Sequence, residues 1–467
     1  MNNAPFLFGR RTIYSDCAVI TPENIVSVLS KALVVHMINR AEIEYLYNYR
    51  RGVQPIINRE KSIRPEINNK IVENRADEIA SFKTGYLVGE PVQYVYRKTN
   101  NGESEIETYN EYMRLENKAK SDKELADWFY TCGIAYRMAL PANSADSDEA
   151  PFKIYTLDPR DTFVVRFSGL GNEVKMGVMG IRYETGVVRW CCYTQNAYYE
   201  IESGKIVRVE PLYLGRIPII EYSANLQKLG AFEIVLPLLD AMNLTASNRE
   251  DGIEQFIQAL MMFKGVDIKS ADYAALKEQG AIKVPADGDI KYLIAELSQQ
   301  QTQVVVDYMY QTILNICGMP NRNGGNSTSD TGTAVIMRDG WEAAEARAKD
   351  TETLFKASEN EFIKLTVSIV NTLRNTGLKA TDIEPRLTRR NYENVQQKAQ
   401  ILTTMLANDI VHPKLAFEYC GMFVDPEHAY KMSMEYYEQN KAKALEGIKN
   451  YIKTEKQNVK AETDDDV

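Results

Sequence analysis

Histidine and cysteine are scarce in this sequence, and both shortages limit the chemistry that the chain can perform. The 467 residues include three histidines, His36, His412 and His428, which leave little material for a zinc site or a histidine-based catalytic centre. The six cysteines form no CxxC pair, which is typical of reduced thiols that pack as small buried side chains. We therefore expect no catalytic residue, no metal ion and no cofactor.

Long apolar runs and nucleotide-binding motifs are also missing. A segment that crosses a bilayer needs about 18 apolar residues, and no apolar run in this sequence is that long. Residues 1–11 also lack the apolar core of a signal peptide. The phosphate-binding motif GxxxxGK[ST] does not occur, and Gly169 and Gly171 lack the third glycine of a dinucleotide fingerprint. The sequence predicts a protein made in the cytoplasm, with no membrane contact and no ATPase of its own.

Size and charge set two further limits. A chain of 467 residues exceeds the size at which one core stops growing, so we expect two to four structural regions. The formal net charge is -9, so the molecule as a whole repels nucleic acid. Any contact with DNA must then be either local or weak.

The first half of the chain changes from helical to strand patterns. Thr21, Pro22 and Glu23 are typical of a helix start, so a first helix is predicted to begin there. A second helix is predicted over 67–87 from the spacing of its apolar residues. A third is predicted to begin at a capping box formed by Ser121 and Glu124 and to end at Tyr136. Between Pro151 and Tyr222, short segments rich in Val, Ile, Tyr and Phe predict an antiparallel sheet that Pro218 closes. The predicted strands are 152–157, 162–167, 176–184, 187–195, 197–202 and 205–210.

The second half is predicted to be mostly helical. A helix to about Phe263 is followed by a small insertion, 264–297, with a helix at 273–279 and strands at 281–284 and 290–294. Residues 333–375 contain no proline and keep a helical spacing of apolar residues, which predicts a rod of about 60 Å. An edge strand at 383–388 and helices at 392–408, 413–420 and 426–453 complete an α+β fold that is mainly helical.

Two groups of side chains are candidates for DNA contact. The glycine-rich segment 318–332 displays short polar groups and one cation, which can hydrogen-bond phosphates without holding them tightly: Asn321, Arg322, Asn323, Asn326, Ser327, Thr328 and Ser329. The two helices around the insertion are acidic, and copies placed around DNA would repel its phosphates. The acids expected to line such a channel are Glu250, Asp251, Glu254 and Asp307.

The order of these elements resembles that of the portal proteins of tailed phages, of the siphophage type. The resemblance covers nearly the whole chain and is most specific in five segments, Tyr86–Val92, Arg216–Ile220, 318–332, Arg386–Asn391 and Asp425–Glu427. One departure is His412 before Pro413, where relatives often start a helix with serine. Another is that 318–332 is longer and more polar than some counterparts.

The resemblance implies a portal-type subunit with wing, stem, clip and crown regions. The implied regions are the wing at 1–235, stem helices at 236–263 and 298–317, the clip at 264–297, the tunnel loop at 318–332, the long wing helix and return strand at 333–391, and the crown at 392–467. It also implies a ring of about twelve copies at one capsid vertex, through which double-stranded DNA is packaged and ejected. The implied partners are the terminase large subunit, a head–tail adaptor, and the major capsid and scaffolding proteins, with assembly in the host cytoplasm.

Two other classes of function stay open at this point. The acidic residues are numerous enough to bind two metal ions, so a metal-dependent enzyme that processes nucleic acid is one alternative. A capsid or tail structural protein without DNA contact is the other. A membrane-surface protein is disfavoured because no basic amphipathic helix is evident.

Overall fold

The structure is a computed structural model with an α+β fold that is mainly helical. Helices α1 to α10 and strands β1 to β13 are numbered along the chain. The residues described are 9–97, 103–142, 148–257, 260–264, 289–293, 299–321, 340–374, 376–389, 395–423 and 425–443.

The first long helix, α1, is Ile25–Arg50 and follows the short strand β1, Ile13–Ser15. The prediction of a helix here is confirmed, but the residue that precedes it is Asn24 rather than Thr21. Asn24 accepts a hydrogen bond from the backbone N–H of Thr21 at 2.9 Å, so Thr21 to Glu23 form a turn before the helix. Proline at 22 therefore belongs to this turn.

The second helix, α2, is Arg75–Val88, so the prediction of a helix over 67–87 is wrong for its first half. Residues 67–74 have no helical structure, although Ile67 is fully buried. The apolar spacing in this segment reflects burial of an extended chain, and its backbone N–H groups bond to side chains of a distant helix that is described below.

The next two helices, α3 at Glu103–Leu115 and α4 at Lys118–Cys132, also differ from expectation. Ser121 lies inside α4 instead of capping it, and the helix ends at Cys132 instead of Tyr136. Gly133 ends it because its φ is +88°, and a Cβ there would lie 2.0 Å from the carbonyl oxygen of Lys228.

All six predicted strands between residues 152 and 210 are present, but they belong to two sheets. The six-stranded sheet has the order β1-β5-β6-β7-β8-β9, and β1 pairs parallel to β5. The other sheet has the order β10-β3-β4, so Pro218 precedes a strand instead of closing the region. The strands are β2 Gln93–Tyr96, β3 Ile134–Pro141, β4 Phe152–Leu157, β5 Thr162–Phe167, β6 Val174–Arg182, β7 Val188–Tyr193, β8 Ala197–Glu202, β9 Lys205–Pro211 and β10 Ile219–Ser223.

Helices α5, Leu236–Ile257, and α6, Gln299–Cys317, flank a two-stranded ladder. The ladder pairs β11, Leu260–Lys264, with β12, Asp289–Leu293, in antiparallel register. Phe263 therefore lies in a strand and not at the end of the preceding helix. The strand predicted at 290–294 is confirmed, whereas the helix at 273–279 and the strand at 281–284 lie outside the described residues.

The predicted long helix is present as α7, Trp341–Arg374, whose 34 residues extend about 51 Å. Residues 333–339 lie outside the described residues. Strand β13, Ile383–Arg386, pairs with β2. The last helices are α8 Val395–Leu406, α9 Pro413–Tyr419 and α10 at 426–443.

Two apolar cores lie on opposite sides of the three-stranded sheet. The first joins α1, the six-stranded sheet, α5 and α6, and the second joins α2, α3, α4 and α7. Successive residues of a strand point to opposite faces, so Ile134 and Tyr136 of β3 enter the first core and Ala135 and Ala139 the second. The sheet thereby fixes α7 relative to the α5–α6 pair.

Candidate DNA channel and its supports

Helices α5 and α6 pack against each other, and one hydrogen-bonded chain crosses between them. Arg249 of α5 donates to the Gln303 Oε1 atom at 2.7 Å, and Gln303 Nε2 donates to Asp307 Oδ1 at 2.8 Å. Ile313, Leu314 and other apolar residues at the end of α6 enter the first core. The two helices therefore form one unit, with the β11–β12 ladder at its end.

The four acids proposed to line a channel occupy different environments. Glu250 and Asp307 are exposed, which is compatible with that role. Glu254 is half-buried and accepts a hydrogen bond from Asn69 Nδ2 at 3.0 Å. The structure thus separates two acids that face solvent from a third that is partly covered.

Asp251 requires a correction, because its carboxylate is buried and neutralised within the subunit. It is 3% exposed and forms ion pairs with Arg59 at 3.0 Å and Lys61 at 2.9 Å. Burial would raise the pKa of Asp251, but the bonds from Asn69 and the two cations together lower it below its usual value. Asp251 therefore supplies no solvent-exposed, uncompensated negative charge to a channel.

The segment that covers this face of α5 is residues 59–73, here named the strap. Its alternate residues 69, 71 and 73 donate backbone N–H groups to α5 side chains spaced four residues apart. The three bonds are Asn69 to Asp251 at 2.7 Å, Ile71 to Ser247 at 2.9 Å and Glu73 to Asn243 at 2.8 Å. Two residues of extended chain and four residues of helix each advance by about 6–7 Å. Every second residue of the strap therefore lies beside every fourth residue of α5.

The start of the predicted tunnel loop is held firmly at the end of α6. Gly318 has a φ of +63°, and a Cβ there would lie 2.7 Å from the Cγ atom of Arg347. Met319 is buried and donates its N–H to the Leu314 carbonyl at 2.8 Å. Asn321 is half-buried. The other proposed contacts, Arg322, Asn323, Asn326, Ser327, Thr328 and Ser329, lie outside the described residues.

A buried charge network holds α7 to the rest of the subunit. Glu359, in the middle of α7, pairs with Arg137 of β3 at 3.1 Å and with Lys118 of α4 at 2.8 Å. Asp122 of α4 pairs with both cations. Two cations thus meet two carboxylates, and none of the four side chains is more than 3% exposed.

Two tyrosines complete the environment of Glu359. Tyr94 of β2 donates to its Oε1 atom at 2.5 Å, and Tyr222 of β10 donates to Oε2 at 2.7 Å. Burial alone would raise the pKa of Glu359, but Lys118 and Arg137 overcome this effect and lower it to about 2. Glu359 is therefore charged at neutral pH, and its network connects five separate elements, α4, α7, β2, β3 and β10.

Sequence reasoning missed this network, although one signal was available. Arg137 is the one charged residue within the otherwise mostly apolar strand Ile134–Pro141. A charge at such a position requires a buried partner of opposite sign. The sequence does not show that Glu359, which lies 222 residues further along the chain, is that partner.

The helix starts near the chain's end agree with expectation. Asp425 accepts N–H bonds from Glu427 and His428, each at 3.1 Å, which confirms the predicted start of α10. His412 accepts the N–H of Lys414 through Nδ1 at 3.2 Å, so it caps α9 as a serine would. The departure from the expected serine therefore preserves the function of the cap.

The described residues contain neither a candidate metal site nor a candidate membrane span. Within these ranges, no three His, Cys, Asp or Glu side chains are grouped so that they could hold a metal ion. No helix among the same residues is both long and apolar enough to span a membrane.

Comparisons with known proteins give a family and weak similarities to solved structures, among them two chains from the necks of GTA particles. A chain from the neck of an empty GTA particle, computed with C6 symmetry, is 11% identical with a TM-score of 0.46, over 74% of this chain and 90% of that chain. A chain from the neck of a native GTA particle, computed with C12 symmetry, is 11% identical with a TM-score of 0.43, and the match covers 74% of this chain and 89% of that chain. No curated protein matches this sequence.

The family model described as "Phage portal protein, SPP1 Gp6-like" matches residues 35–460. This range contains α2 to α10 and all the strands except β1, together with the strap and the buried charge network. The match thus includes nearly every element that shapes the site. The chain belongs to the phage portal protein family, in its SPP1 Gp6-like group.

Proposed function

We propose that copies of this chain form a ring, of about twelve subunits, at one vertex of a capsid. The ring is the channel through which double-stranded DNA is packaged and later ejected. The observation that carries the proposal is the portal family match, which includes both α5 and α6 and the whole of α7. The subunit itself is structural, and a separate protein performs ATP hydrolysis.

In this ring, α5 and α6 are the stem, and Glu250 and Asp307 are its channel-facing acids. Both carboxylates are exposed, whereas the strap covers Asp251 and bonds to Glu254. Repeated around the ring, exposed carboxylates repel the phosphates and keep DNA from adhering to the wall. The tunnel loop at 318–332 then contacts phosphates through Asn321, Arg322, Asn323, Asn326, Ser327, Thr328 and Ser329.

The other regions are assigned to partners. Residues 264–297, which include β12, form the clip on which the terminase large subunit and later the head–tail adaptor dock. Residues 1–235 and 333–391 form the wing, and 392–467 the crown, which face the major capsid and scaffolding proteins. The site of action is the virion, and assembly takes place in the host cytoplasm.

The ring is tested by negative-stain electron microscopy of the purified chain. End-on views are expected to show a closed ring of about a dozen subunits, with an opening wide enough for duplex DNA. A homogeneous monomer or closed dimer would contradict the proposal. Incubation of the same sample with magnesium and DNA tests the enzyme alternative, because cleavage would favour a nuclease.

Reversing the stem charge is expected to slow DNA packaging. In the double variant Glu250→Lys and Asp307→Lys, each subunit loses two negative charges and gains two positive ones, and the lysines attract the phosphates instead of repelling them. We expect packaging in a reconstituted motor assay to slow about tenfold at low salt and to recover partly at high salt.

The matched control carries the same charge change away from the stem. Glu107 and Glu184 are exposed, the first on α3 and the second between β6 and β7. Glu107→Lys with Glu184→Lys is expected to package at the normal rate. Equal rates for the stem variant, the control and the unchanged chain would refute the role of the stem acids.

A further inference from the structure

A polar groove of about 880 Å³ lies beside the C-terminal half of α7, and none of its lining residues belongs to the stem or the tunnel loop. One wall is a face of α7 on which polar side chains recur every three or four residues, including Asn360, Lys364 and Ser368. The opposite wall is formed by Arg97, which follows β2, and by residues 379–381 before β13. Arg216 lies at one end.

The groove is strongly cationic in a chain of net charge -9. Four cations line it, Arg97, Arg216, Lys364 and Lys379, and no carboxylate does so among the residues described. Glu361, on the next face of α7, pairs with Lys364 at 2.6 Å and lies 3.8 Å from Arg216. In the described part of the chain, the side chains of Arg97 and Lys379 form no ion pair, so at least two charges are uncompensated.

The remaining side chains favour a phosphate backbone over a protein as the occupant. Three apolar residues of the groove, Val367, Leu378 and Ile383, are each 4% exposed and form its floor, and Ala380 beside them is half-buried. A protein partner would normally insert aromatic or aliphatic anchors into an apolar pocket, and this groove offers none at its surface. Cations together with Asn, Ser and Thr side chains are instead the groups that contact DNA phosphates and sugars.

We propose that this groove binds one phosphodiester strand of duplex DNA outside the channel. The face of α7 from residue 360 to residue 372 is about 18 Å long, which corresponds to about five phosphates along one strand. The contacts are to the backbone alone, so binding is independent of base sequence. The inference goes beyond the proposed channel, because the groove needs neither the tunnel loop nor a closed ring.

The test measures duplex DNA binding against salt concentration, with the full-length chain and a fluorescent duplex. The groove variant is Arg97→Gln with Lys379→Gln, since both side chains are exposed and neither belongs to an ion pair within the described ranges. We expect the slope of log Kobs against log salt to fall in magnitude by about 2, one unit for each lost phosphate contact. The control, Lys31→Gln with Lys205→Gln, removes two exposed lysines elsewhere and should keep the original slope.

Two outcomes would count against the groove. A slope equal to that of the control would overturn the proposal. If the groove variant loses binding to polyglutamate but keeps the DNA slope, the groove serves an acidic protein and the DNA assignment is wrong. Electron microscopy of every variant separates this inference from the channel: intact rings with an unchanged slope refute only the groove, whereas a chain that forms no ring refutes only the channel.

Discussion

Replacing Glu359 by glutamine is expected to lower the free energy of unfolding by about 3 to 5 kcal/mol. The change leaves Arg137 and Lys118 buried with Asp122 as their one remaining carboxylate, so the network carries an uncompensated positive charge. It also removes an acceptor, because Tyr94 and Tyr222 donate to different oxygens of Glu359 and a carboxamide has only one oxygen. Urea unfolding followed by far-ultraviolet circular dichroism measures the loss.

The matched control is Glu361→Gln, two residues further along the same helix. The Glu361 side chain is 53% exposed and its pairs with Lys364 and Arg216 are on the surface, so the expected loss is below about 1 kcal/mol. A second variant, Lys118→Met combined with Glu359→Gln, restores a balance of one cation and one carboxylate. We expect it to be more stable than the single variant, and equal losses from Glu359→Gln and Glu361→Gln would contradict the network's role.

The same network predicts the direction of the acid response. The pKa of Glu359 is about 2 in the folded chain and 4.5 when unperturbed, so unfolding favours proton uptake between these values. The stabilisation is fully present above about pH 4.5 and is lost as the pH falls towards 2. Because glutamine does not titrate, the stability difference between the two proteins should shrink over this window, by about 3 kcal/mol.

Local patterns predicted most of the elements, because strands and long helices repeat their signal over many residues. The strands from 152 to 210 are bounded by turn residues such as Gly186 and Gly204, which have positive φ, and the chain itself therefore shows where each strand ends. Similarly, α7 is visible as an uninterrupted helical spacing of apolar residues. These features depend on neighbours in the sequence.

The errors arose where distant parts of the chain decide the structure. The segment before α2 has helical spacing, yet Ile71 and Glu73 bond to α5 side chains that lie 176 and 170 residues further along the chain, and the segment stays extended. The sequence predicts an exposed acid at Asp251, because it shows the charge of this residue but not the strap that covers it. In the same way, Arg137 indicates a buried partner without identifying Glu359.

A second large loss of stability is expected when the strap loses its main acceptor on α5, because the carboxylate of Asp251 accepts bonds from several groups of the strap. Asp251→Ala is expected to cost about 3 kcal/mol, because Arg59 and Lys61 lose their common partner while both remain largely buried. The adjacent Glu250→Ala is the control and should change stability by no more than about 0.5 kcal/mol, since Glu250 is exposed.

Hydrogen exchange distinguishes a local role of the strap from general loss of stability. The Asn69 amide donates to Asp251 itself, whereas the amides of Ile71 and Glu73 donate to Ser247 and Asn243. In Asp251→Ala, protection is expected to fall most at Asn69 and less at the other two. Uniform loss across all three amides and the six-stranded sheet would instead mean that the substitution weakens the whole subunit. Selective loss at Asn69 would show that each hydrogen bond between the strap and α5 can open independently of the others. The strap could then separate from α5 locally while the wing stays folded.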